Sequence, residues 1–182
     1  MVNMYLPELT NLQQGILRAL SIKAGMSLNQ RALANILGVS APAVMKAIPT
    51  LEKKALIKVH QDKESLRWSI ELNRDSVSVM QLKRADNLRQ VYESGLFEFL
   101  EKEYAGAAII LFGSYSRGED TVNSDMDIAV IGRKEKHLDL GKFESILERR
   151  IIVNYYDSFA RIHQHLKENL FNGIVLAGGV AL

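Results

Sequence analysis

A six-residue apolar run, Ala107-Ala108-Ile109-Ile110-Leu111-Phe112, stops abruptly at Gly113-Ser114, and a second apolar run follows after Asp125-Met126-Asp127. This is the feature that most constrains the fold. A short, continuous apolar run bounded by turn residues reads as a strand buried on both faces. Gly113 lets the backbone approach a ligand closely. Ser114 offers a hydroxyl and a backbone N–H to an anion, at a turn predicted to open a helix. Arg117 adds a fork-shaped phosphate donor. The next strand is predicted to start at about Asp125 and to run through Ile128-Ala129-Val130-Ile131. Asp125 and Asp127 are two apart, so both point to one side of a strand. Two adjacent carboxylates repel and are costly without cations. The pattern suits Mg²⁺, which takes oxygen ligands from carboxylates, water and phosphates.

The rest of the chain divides into an earlier basic part and this later one. Residues 1–74 hold ten Lys/Arg against five Asp/Glu, +5, whereas 75–182 carry −3. Pro7 and Glu8 open a predicted helix from Leu9 to about Ala24. Ser27 is read as the cap of a second helix, Leu28–Leu37. Gly38-Val39-Ser40 forms a turn, and a third helix runs from about Ala41 to Lys54, with Pro42 in its first turn and Pro49 inside it. Leu56–Val59 reads as a strand. Leu66, Trp68, Ile70 and Leu72 alternate with polar residues, the period of a half-buried strand. Val77–Tyr104 reads as two amphipathic helices broken near Gly95, the first with a stripe of Leu82, Leu88, Val91 and Tyr92.

Two resemblances follow from these patterns. Residues of about 8–73 resemble a winged helix-turn-helix domain. That resemblance implies DNA binding, with Lys46, Lys53, Lys54 and Lys63 as the phosphate contacts. The start of the third helix, Ala41-Pro42-Ala43, has few groups able to read base edges. Gly113-Ser114, Arg117-Gly118 and Ser124-Asp125-Met126-Asp127 resemble the nucleotidyltransferase domains of the DNA polymerase beta superfamily, in particular the minimal nucleotidyltransferases of prokaryotes.

This second resemblance implies that Gly113, Ser114, Arg117 and Ser124 hold a nucleoside triphosphate, with ATP the first choice. Asp125 and Asp127 would be the catalytic, Mg²⁺-binding pair, and a nucleoside monophosphate would pass to an acceptor. The family usually has a third carboxylate on the following strand. The matching position here is read as Asn154, with Asp157 as the acid nearby. Asn is neutral and a poor general base.

The expected fold class is therefore α+β. A winged helix (1–74) is followed by a helical connector (75–94) that bridges the domains or pairs in a homodimer, and by a small α/β nucleotidyltransferase domain with a mixed sheet (95–182). The expected function is Mg²⁺-dependent nucleotidyl transfer coupled to DNA binding. The alternatives are a transcriptional regulator with a catalytically degenerate nucleotide-binding domain and an antitoxin-like protein acting on a companion protein. No apolar run approaches the ~20 residues of a membrane helix. No signal peptide is read and cysteine is absent, so a cytoplasmic protein without disulfides is expected.

Overall fold

The computed structural model describes residues 9–63 and 67–179. Pro7, Glu8 and Leu66 lie outside these residues. The chain forms two compact units, Met1–Val79 and Met80–Leu182.

The first unit contains three helices, α1 (Asn11–Ile22), α2 (Gln30–Leu37) and α3 (Ala41–Lys53), then the antiparallel hairpin β1 (Ile57–Gln61) and β2 (Trp68–Leu72). This is the architecture of a winged helix-turn-helix. The first helix starts later than expected because Thr10 caps it. The Thr10 hydroxyl accepts from the Gln13 N–H while the Gln13 side chain accepts from the Thr10 N–H, a reciprocal capping box. The second helix also starts later, at an Asn29 cap rather than at Ser27. Leu28 has another task. It exchanges two backbone hydrogen bonds of 2.8 Å with Ile70 and so adds a bridge to the hairpin. Gly38 ends α2 in the left-handed region, φ 63°, and Ser40 caps α3. Ile16, Leu20, Leu33, Val44, Leu51 and Ile70 are fully buried. Each such side chain contributes about 1.5–3 kcal/mol of transfer free energy.

The second unit is built on a four-stranded sheet of order β5-β4-β3-β6, with β3 at Ala108–Phe112, β4 at Met126–Ile131, β5 at Ile151–Tyr156 and β6 at Ile174–Ala177. β3 runs antiparallel to both β4 and β6, whereas β4 and β5 are parallel. All five residues of β3 are buried, because both sheet faces are covered. On one face Ile109, Leu111, Met126, Ile128 and Val130 pack with Val91 of α4 (Val77–Glu93), Leu96 and Leu100 of α5 (Leu96–Glu103) and Phe143 and Leu147 of α7 (Gly141–Leu147). On the other, Ala108, Ile110, Phe112, Ala129 and Ile131 meet Phe159, Ile162 and Leu170. These come from a 3₁₀ turn at Phe159–Arg161, the residue after it, and α8 (Gln164–Phe171).

The helix α4 departs from its expected role as a separate connector. From Met80 onward it belongs to the second unit. The face it buries is Lys83, Asn87, Gln90 and Val91, while Tyr92 is 41% exposed. A largely polar stripe is buried because specific partners in the second unit receive it. Among the described residues, no single helix is long and apolar enough to cross a membrane.

Candidate nucleotide-binding site

The chain leaves β3 at Phe112 and turns directly into the short helix α6 (Gly113–Arg117). Gly113 holds φ 74°, a conformation that favours glycine. A second constraint acts at the same residue. A Cβ placed on Gly113 would overlap Oδ2 of Asp127 and lie 3.3 Å from its Cγ. The glycine turn and the carboxylate are thus in direct apposition. Sheet register explains this, since Phe112 pairs with Asp127 across the antiparallel β3–β4 ladder.

Within the turn, the Ser116 hydroxyl donates to the Gly113 carbonyl at 2.9 Å, and Gly118, at φ 77°, ends α6. With only five residues, α6 offers a ligand its first backbone N–H groups more than a macrodipole. Asp125 stands just before β4, which begins at Met126 rather than at Asp125. Asp127 lies on the sheet face of Ala129 and Ile131. Burial, and then the Asp125 charge, raise the Asp127 carboxyl from its ordinary pKa. The Tyr156 hydroxyl is raised too, by burial first and by the Asp127 charge second. Both shifts report a negative, partly desolvated corner beside Gly113.

The other residues expected here are differently engaged. Arg117 donates from Nε to Glu119 at 2.8 Å. The Ser124 hydroxyl accepts from the Thr121 N–H at 2.9 Å, so it closes the loop ahead of Asp125. Asn154 lies one step along the sheet from Asp127. The parallel β4–β5 register places Ile152 opposite Asp127 and Asn154 opposite Ala129. Asp157 lies beyond the end of β5, is exposed, and faces Arg161 at 3.4 Å. Ile152 and Asn154 are two apart on β5 and share one face of the strand, the face on which Asp127 lies in the register. Among the described residues, no group of three or more His, Cys, Asp or Glu side chains is gathered to hold a metal ion.

Residues 93–176 match the family model for the nucleotidyltransferase domain. These residues form a nucleotidyltransferase domain. No curated protein matches the sequence. The solved structures similar to part of the chain include two of MepR. One is the MepR–DNA complex of S. aureus, 26% identical over 53% of this chain and 82% of that one, with a TM-score of 0.38. The other is MepR, a transcription regulator of the Staphylococcus aureus multidrug efflux pump MepA, 26% identical over 53% and 72%, with a TM-score of 0.39. The winged-helix description of the first unit rests on its own elements, three helices followed by a paired hairpin.

The nucleotidyltransferase domain retains a carboxylate whose burial works against folding. A carboxyl with a raised folded pKa withdraws stability above that pKa and returns it as pH falls through it. At neutral pH without divalent cation, Asp127→Asn is therefore expected to raise the melting temperature of the second unit, by about 4 °C or more for each kcal/mol relieved in a unit of this size. Differential scanning calorimetry at pH 7 and pH 4.5 checks the sign. The gain should shrink at the lower pH.

Proposed function

We propose that the chain is a DNA-binding protein whose nucleotidyltransferase domain takes up a Mg²⁺-bound nucleoside triphosphate, ATP first, as a regulatory ligand. Gly113 and Ser114 receive the polyphosphate. Asp125 and Asp127 hold the cation, with Arg117 available to a phosphate once it leaves Glu119. The donor set fits a hard divalent cation, because it is all oxygen and because positive charge opposes both the burial and the Asp125 repulsion that raise Asp127. When bound, the cation neutralises phosphate charge. The chain's own residues orient the phosphates and keep the glycine turn closed against Asp127.

One feature favours uptake over transfer. The position read as matching the family's third carboxylate is Asn154, a neutral amide that is a poor general base for an acceptor's proton, and its register neighbour toward Asp127 is the apolar Ile152. Transfer of a nucleotidyl group to an acceptor, including a companion protein, is the second reading. It is favoured by the retained Asp125/Asp127 pair.

Titration calorimetry tests both. Wild-type protein should bind ATP with Mg²⁺ and lose that binding with EDTA, while the double variant Asp125→Asn, Asp127→Asn should give no metal-dependent heat. No Mg²⁺-dependent binding by the wild type would sink the proposal. Incubation with α-labelled ATP and Mg²⁺ separates the two readings, since label on protein or RNA would establish transfer.

The DNA arm of the proposal rests on the first unit. α3 exposes Pro42, Lys46, Pro49 and Lys53, Lys54 follows it, and Lys63 is exposed in the turn after β1. Two lysines and two prolines make a face suited to phosphates and poor in base-reading groups. Duplex affinity should fall log-linearly with salt, at a slope of about −0.9 per phosphate contact, and should vary little with sequence. Lys46→Ala and Lys53→Ala should each lower the slope by about one. Fluorescence anisotropy on two unrelated duplexes across a salt series measures both quantities.

A further inference from the structure

Behind the glycine turn lies a buried ionic hub that the proposed ligand contacts do not use. Asp120 is fully buried, Lys83 is 1% exposed and Arg149 is 5% exposed. The three come from separate places: Lys83 from α4, Asp120 from the loop after α6, and Arg149 from the link between α7 and β5. Lys83 is ion-paired to Oδ1 of Asp120, and Arg149 Nη2 lies 3.2 Å from Oδ2. Asn87, one turn along α4 from Lys83, donates to Oδ1 of Asp120 at 2.7 Å and to the Tyr115 carbonyl of α6 at 2.9 Å. Burial pulls the Lys83 ammonium below its ordinary pKa, against the opposing influence of Asp120.

The hub sits where the site's supporting segments converge. Gly118, at the end of α6, is pressed against the α4 backbone. A Cβ there would come within 2.6 Å of the Met80 carbonyl and 2.8 Å of the Arg84 nitrogen. Beyond Asp120, the Thr121–Ser124 hydrogen bond carries the restraint to the residue before Asp125. On the other side, Arg150 accepts a hydrogen bond from the Met126 N–H at 2.8 Å, which fixes the start of β4. Asp120 therefore ties α4, the Gly113–Gly118 turn and the entry to β5 around the segment that carries both candidate metal ligands.

A buried ion-paired group adds little net stability relative to apolar side chains of similar volume, and is best explained where it enforces one geometry. We propose that Asp120 is a positioning residue for the nucleotide site. With Lys83, Asn87 and Arg149 it holds the Gly113–Asp127 segment in the arrangement that presents Asp125 and Asp127 to a phosphate-bound cation. The functional half of this inference rests on the proposed uptake of Mg·ATP.

Two measurements on the full chain test it. Hydrogen exchange without nucleotide compares wild type with Asp120→Asn, which keeps the shape and removes the charge. Faster exchange confined to residues 113–127 and the start of α4 is expected. Unchanged exchange there would overturn the positioning role whether or not nucleotide binds. Calorimetry with Mg·ATP should then show affinity weakened about 10- to 100-fold, the usual cost of losing an outer-shell support.

A triple variant, Lys83→Met, Asp120→Leu, Arg149→Met, separates positioning from stability. It should recover the wild-type melting temperature without recovering affinity. Recovery of both would show that the hub only stabilises the fold and would overturn the proposal. If wild-type protein does not bind Mg·ATP but Asp120→Asn loosens 113–127, the nucleotide reading fails and the positioning role stands.

Discussion

Gly113→Ala is expected to abolish measurable Mg·ATP binding and to lower the stability of the nucleotidyltransferase domain. Two penalties coincide at this residue. The backbone is held at φ 74°, where a side chain costs about 1–2 kcal/mol. The new methyl would also occupy space held by Oδ2 of Asp127. The carboxylate must then swing away from the turn, which separates the candidate cation ligand from the candidate phosphate cradle. Gly132→Ala supplies the control. Gly132 holds φ 84°, but a Cβ there would meet nothing within 4 Å. It shares the backbone penalty without the overlap. If both variants bind Mg·ATP as wild type does, the apposition of Gly113 and Asp127 plays no part in ligand uptake. If both lose binding equally, backbone strain alone is responsible.

Ile152→Asp should act in the opposite direction. It places a third carboxylate opposite Asp127 in the parallel register. Without cation, three acids in a partly buried corner repel, and the domain should melt earlier than wild type. With Mg²⁺ the order should reverse, since ligand charge count sets affinity for hard cations. A gain of about tenfold corresponds to only ~1.4 kcal/mol. Calorimetric melts with and without Mg²⁺, together with the labelled-ATP incubation, read both effects. Transfer that appears only in the variant would show that Ile152 is what holds the domain at uptake. Equal Mg²⁺ affinity in the two proteins would mean that position 152 does not face the cation.

The parts of this molecule legible in the sequence are those governed by local rules. β3 is an uninterrupted apolar run because both its faces are covered, and the alternation around Trp68–Leu72 marks a strand with one wet face. Gly38 and Gly95 mark helix boundaries because each adopts a left-handed conformation. Misreadings arose where a distant partner outweighed a local signal. Leu28 looked helical by period but pairs with Ile70. The offset between β4 and β5, which sets Ile152 opposite Asp127 and Asn154 opposite Ala129, is fixed by the intervening crossover and is not visible in any pattern within β5. The apolar stripe read for α4 is Leu82, Leu88, Val91 and Tyr92, yet Asp120, far along the chain, draws Lys83 and Asn87 inward. Charged residues at helical spacing are read as solvent-facing unless the partner is known.

The strand order also carries a kinetic consequence. β3 is flanked by β4, which follows it closely in the chain, and by β6, which arrives more than sixty residues later. The β3–β4 hairpin, with Gly113 and Asp127 already side by side, closes a short loop and forms early, whereas docking β6 closes a long one and is slow. During synthesis the edge of β3 that awaits β6 stays open until β6 emerges. The interval in which this chain is most exposed to aggregation is therefore set by the most distant strand pairing, after the turn and carboxylate have already met.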